Sequence, residues 1–218
     1  MRPPRPRSSR WLEYESSRSS YSADELSLKE AFVQDALKQF QPRKVLDVGS
    51  NTGQFSILAA RNGASVVAID SDPVVVNELW RRARTERLDI LPLTINLSNP
   101  TPALGWRNQE RPSFLERASG TFDAILMLAV IHHLLVTDGI PLPEILTLLA
   151  ALTTGICVVE FVGPEDLMFR RLVRGRGHLY EGLNAAVFEA ACMGWFQIVR
   201  SCRLGKSERW LYLLKKMK

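Results

Sequence analysis

Cysteine is scarce in this chain of 218 residues: there are three, Cys157, Cys192 and Cys202. An odd number without CxxC spacing excludes a disulfide framework and offers no zinc pattern. No metal site is therefore expected, and a reduced, cytoplasmic setting is. No apolar run is long enough to span a bilayer, so no membrane partner is expected. The basic start, MRPPRPRSSR, has no apolar stretch behind it, which excludes a secretory signal. Internal repeats are absent. Histidine is also rare, with three residues, of which His132 and His133 are adjacent.

The net charge of +5 sits at the ends of the chain. Residues 1–20 hold five Arg against two Glu, and the terminal KKMK adds three Lys. The body between them is close to neutral. A protein built to bind nucleic acid more often carries a basic face, so nucleic acid is not the favoured partner. Residues 1–19, rich in Arg, Pro and Ser, are expected to form a disordered basic tail. Residues 20–218 then make one domain with a sizeable core.

A third glycine is missing where a dinucleotide fingerprint needs it. Val45, Leu46 and Val48 predict a buried parallel strand. Gly49 to Gly53 follows as GSNTG, and the apolar residues after it suit a helix. Strand, glycine turn and helix together aim backbone N–H groups at a ligand. GxGxxG would seat a pyrophosphate, but position 51 is Asn and Asp47 precedes the turn by two residues. A carboxylate there repels phosphates and suits an ammonium. The second strand, Ala64 to Ile69, ends in Asp70, placed to bind both hydroxyls of a ribose.

These residues resemble the first two motifs of the class I S-adenosylmethionine-dependent methyltransferases, in VLDVGSNTG and VVAID. The likeness runs roughly from Phe32 to Leu214. It implies a Rossmann-like α/β sandwich: a mostly parallel seven-stranded sheet with one antiparallel strand from a C-terminal hairpin. The periodicity agrees, with helices over 23–40, 73–84, 141–152 and 164–173. Strands are expected over 88–93, 122–128 and 155–161, then 195–204 and 207–214 around Gly205-Lys206. The implied cofactor is S-adenosylmethionine. Ligands in such sheets bind at the carboxyl ends of the strands. The expected cofactor residues are therefore Asp47, Gly49, Ser50, Asn51, Thr52, Gly53, Asp70 and Ser71, with Asn96 and Leu97 after the third strand and Leu128 and Ala129 after the fourth.

Catalysis points to the segment just beyond the fourth strand, where His133 or His132 could take a proton from the acceptor. Glu160, ending the fifth strand, is a further candidate base. The segment 96–120 carries Trp106, Arg107 and Arg111, and the helix over 164–173 carries Arg170; these are the candidate acceptor contacts. That pairing of segments resembles a bacterial subfamily that includes nodulation-associated proteins. The expected activity is methyl transfer to oxygen or nitrogen of a small molecule. An RNA or protein methyltransferase, and a cofactor-binding protein without chemistry, remain alternatives. Oligomeric state is not legible.

Overall fold

The structure, a computed structural model, describes residues 22–205 and 207–217. The expected tail over 1–19 and Lys206 of the expected hairpin turn lie outside the described residues. Seven strands form one sheet: β1 (Lys44–Val48), β2 (Ser65–Asp70), β3 (Ile90–Thr94), β4 (Phe122–Met127), β5 (Thr153–Val162), β6 (Phe196–Arg203) and β7 (Arg209–Lys216). Their order is β3-β2-β1-β4-β5-β7-β6. β7 runs antiparallel to both β5 and β6, and the remaining pairs are parallel. This is the sheet the sequence predicts.

Alternation along each strand divides the core into two layers. Val45, Ala124, Leu126 and Val158 face a layer closed by α1 (Ala23–Phe40), α2 (Gln54–Arg61) and α3 (Pro73–Glu86), through Phe32, Val33, Ile57 and Leu79. Leu46, Val48, Ile125, Met127 and Val159 face the opposite layer. It is closed by α4 (Phe114–Ala118), α5 (Ile131–Val136), α6 (Leu142–Leu152), α7 (Leu167–Val173) and α8 (Ala185–Cys192).

Local chemistry sets the ends of these elements. Ser22 and Glu25 form a reciprocal capping box at the start of α1. Asp72 caps α3, with Pro73 as its first residue. β3 begins at Ile90 rather than at Leu88. Arg87 is left-handed, and the Leu88 N–H donates to the Ala83 carbonyl, so Leu88 closes α3 instead. α7 begins at Leu167 rather than at Pro164 because the Asp166 carboxylate accepts the Met168 N–H and acts as its cap. Two short helices were not expected. α4 holds the long 96–120 segment in place by a Ser113–Glu116 capping box and the buried Phe114. α8 packs Phe188 against Phe161 and Tyr212.

One feature of the core is ionic. Arg209, the first residue of β7, donates from Nε and Nη2 to Asp166 at 2.8 and 3.1 Å, and from Nη1 to Glu160 at 3.2 Å. Glu160 also pairs with Lys29 of α1 at 2.6 Å. Removing one partner from a buried pair leaves an uncompensated charge. Arg209→Met should therefore lower unfolding free energy by about 3–5 kcal/mol. Urea unfolding should show a lower midpoint at unchanged slope; a loss below about 1 kcal/mol would mean that the pairs contribute little.

Candidate active site

The β1–α2 turn is suspended from the end of β2. The N–H groups of Gly49 and Ser50 both donate to the Ile69 carbonyl, at 2.9 and 3.0 Å. The Asn51 N–H donates to Asp70 Oδ2 at 3.0 Å, and the Asp72 N–H to Asp70 Oδ1 at 2.9 Å. Gly53 closes the turn through its N–H to the Ser50 carbonyl at 2.8 Å. The glycines are needed for distinct reasons. Both have positive φ, 69° at Gly49 and 88° at Gly53. A Cβ on Gly49 would strike Val130, and one on Gly53 would strike Leu79.

The turn borders a cavity of about 300 Å³ at the carboxyl ends of the strands. Of the cofactor residues expected from sequence, Asp47, Gly49, Ser50, Asn51, Thr52, Asp70, Ser71, Asn96, Leu97, Leu128 and Ala129 all line it. Gly53 stands behind the wall and shapes it. Ser50 Oγ and Asn51 Oδ1 are buried there without a hydrogen-bond partner. Buried polar atoms normally have one, so this turn has the capacity to receive a polar ligand. Ala129 holds φ 57° and Asn51 φ 48°, both left-handed. Such backbone strain concentrates at functional sites.

His133 also lines the cavity and is half-buried. Burial pushes its imidazole below the ordinary 6.5; Asp138 opposes this shift and Arg209 adds to it. A neutral ring at pH 7 can accept a proton. His132 differs although it is adjacent. It is buried outside the lining, with its ring 4.3 Å from that of His133. Desolvation, His133, Arg209 and Lys29 push it well below 6.5. It therefore stands in the packed interior behind the cavity lining.

Three groups of expected site residues stand away from the cavity lining. Glu160 does not reach the cavity; it is fully buried between Lys29 and Arg209. Trp106, Arg107 and Arg111 are exposed on a closed loop bridged from Leu104 to Arg111, outside the lining. Arg170 is exposed, pairs with Glu165 and borders a separate hollow around α7. Conversely, sequence reading overlooked Lys29, Phe55 and Asp138, which do line the cavity. Lys29 left a signal, because it occupies the apolar stripe Leu26, Phe32, Val33 and Ala36 of α1. A charge at such a position has a buried partner or a site.

Asp47 carries the most informative electrostatics. Its side chain accepts from Ser56 Oγ at 2.5 Å. Burial pushes its carboxyl from 3.8 up to about 6; the Ser56 bond and Lys29 lower it, and Asp70 raises it. The folded protein thus binds this proton more tightly than the unfolded chain. The associated stability is full below pH 3.8 and is lost as pH rises through about 6. Asp47→Asn keeps the acceptor for Ser56 without the charge. It should raise stability at pH 7.5 by about 1–3 kcal/mol, with no gain at pH 3.5. Urea unfolding at the two pH values checks this, and an equal gain at both would exclude the ionised carboxyl as the cause.

Comparison with known proteins identifies the family and the fold. A family model described as a methyltransferase domain matches residues 21–192. Nodulation protein NoeA of Rhizobium meliloti (strain 1021) is 32% identical over 210 residues, 94% of this chain and 43% of that protein. The chain thus spans less than half the length of that relative. Among solved structures, the N-methyltransferase NodS from Bradyrhizobium japonicum WM9 superposes with a TM-score of 0.64 at 14% identity, over 90% of this chain and 99% of that one. Magnesium protoporphyrin IX methyltransferase from Synechocystis PCC 6803, solved with bound S-adenosylhomocysteine, gives 0.61 at 18% identity over 94% of each chain. The cofactor expected of such a fold is S-adenosylmethionine, and the chain belongs to the methyltransferase-domain family.

Proposed function

We propose that this protein transfers a methyl group from S-adenosylmethionine to an oxygen or nitrogen of a small-molecule acceptor. The observation that carries the reading is one cavity shared by four features. They are Asp70 fixed by two backbone N–H groups, the buried Asp47, the unpartnered Ser50 and Asn51 oxygens, and His133. Asp70 accepts hydrogen bonds from the ribose hydroxyls. Asp47 receives the amino group, with Ser50 and Asn51 beside it. Asn96 and Leu97 border the adenine, and Leu128 and Ala129 the methionine portion.

S-adenosylmethionine supplies a methyl group already activated on a sulfonium. The protein's own tasks are to align the acceptor and to take its proton. His133 would do the second, taking the O–H or N–H proton of the acceptor on a neutral ring nitrogen. Leu26, Val130 and Leu134 bound the same cavity and keep water from that approach. Among the described residues, Arg107 and Arg111 stand on the loop and Arg170 is paired with Glu165, all three outside the cavity lining.

Calorimetry with S-adenosylhomocysteine tests the cofactor assignment. Asp70→Ala should weaken binding by about 1.5–3 kcal/mol, the scale of lost charge-assisted hydrogen bonds. Binding of NADH instead, or unchanged affinity in the variant, would overturn it.

His133→Ala should lower turnover roughly 10²–10⁴-fold with affinity for S-adenosylhomocysteine little changed. The acid limb of the pH–rate profile should lie below 6.5, since the ring is shifted downward. His132→Ala should act through stability. Full turnover in the His133 variant would leave catalysis to alignment alone.

A further inference from the structure

The buried ionic chain of the core ends on the cavity wall. From Asp166, the cap of α7, it runs through Arg209 of β7 and Glu160 of β5 to Lys29 of α1. Each of the four side chains is 8% exposed or less. Among the described residues, two cations and two anions alternate along it. Only its Lys29 end lines the cavity, and the Lys29 ammonium also lies 5.3 Å over the ring of Phe55, another lining residue. We infer that this chain is a positioning device for the cofactor: it fixes the Lys29 ammonium at the cavity wall, where that charge governs how Asp47 receives the cofactor's amino group. The inference rests on the cofactor reading above.

The surroundings of Asp47 make the role specific. α2 offers it the Ser56 hydroxyl, β2 the Asp70 carboxylate and α1 the Lys29 ammonium. β4 faces it in register with the apolar Leu126. Lys29 favours the ionised carboxyl, and Asp70 opposes it. An ammonium next to the site would also repel the incoming amino group if it could swing toward it. Glu160 holds it at 2.6 Å and prevents this. Glu160 therefore acts through Lys29 and not on the acceptor. It is a positioning residue.

Lys29 and Glu160 have opposite charges, so their removal should have opposite effects that packing damage alone does not produce. The experiment measures S-adenosylhomocysteine affinity by calorimetry from pH 5 to 8.5. Wild type should lose affinity up to about tenfold per unit below a midpoint set by Asp47, and Asp47→Asn should abolish that limb. Lys29→Met should move the midpoint up by roughly 0.3–1 pH unit, and Glu160→Gln should move it down. Lys29→Arg should keep it near wild type, and the neutral double variant Lys29→Met/Glu160→Gln should return it toward wild type. If Glu160→Gln does not fold, the contrast between Lys29→Met and Lys29→Arg decides. An unmoved midpoint in Lys29→Met, with wild type binding normally at pH 8, overturns this inference and leaves the cofactor reading intact. No binding by wild type at pH 8 overturns both.

Discussion

The carboxylate of Asp70 holds the site together. Its two oxygens accept the N–H groups of Asn51 and Asp72, joining the glycine turn of β1 to the first turn of α3. The preceding carbonyl, Ile69, takes the N–H groups of Gly49 and Ser50. The β1–α2 turn thus has no independent conformation; the end of the neighbouring strand fixes it. That constraint places α2, whose Ser56 reaches back to Asp47, and it aligns the floor of the cavity. Burial raises the proton affinity of Asp70, and its backbone bonds work against that. The two N–H groups therefore help keep the side chain ionised as well as fixed.

The parts of the site legible in the sequence are those determined by local backbone chemistry. Gly49, Asp47 and Asp70 announce themselves because a left-handed turn at a strand end admits few residues and a strand tip offers one outward side chain. The parts that were not legible depend on partners far along the chain. Glu160 lies two residues before the end of β5, whereas Asp70 is the last residue of β2; Glu160 shares the face of Ile156 and Val158 and turns beneath α1. Its cation, Arg209, is 49 residues away. No local pattern relates the two. Arg170 and Arg107 fall outside the cavity for a simpler reason: loop and short-helix orientation follows tertiary packing, as with α4 and α8, which are too short to carry much periodicity.

The site is assembled at a cost to stability. Asn51 and Ala129 hold left-handed backbone, each costing on the order of 1 kcal/mol, and Asp47 is ionised at neutral pH in a setting that disfavours charge. The two apolar layers offset this. The ionic chain does so only in part, since buried pairs seldom stabilise more than the hydrophobic residues that could replace them. Its retention in the core is better understood through what it holds than through net stability. It links α7, β7, β5 and α1, the segments beside the β1–β4 end of the sheet where the cavity lies.

His132 and His133 show how the same fold separates two identical side chains. On a helix, successive residues point about 100° apart. α5 packs one face into the core and turns the next position toward the cavity. Desolvation lowers both imidazoles, so both are neutral at pH 7. Access and the nearby carboxylate then distinguish them. Burial and Arg209 oppose a proton on either ring; His133 has Asp138 to stabilise one, whereas His132 also faces His133 and Lys29, both of which oppose it. A proton arriving at α5 therefore rests on His133. Of the two buried cations, Arg209 weighs on both histidines and Lys29 on His132, so the cation at the cavity wall adds to the difference that access and Asp138 create.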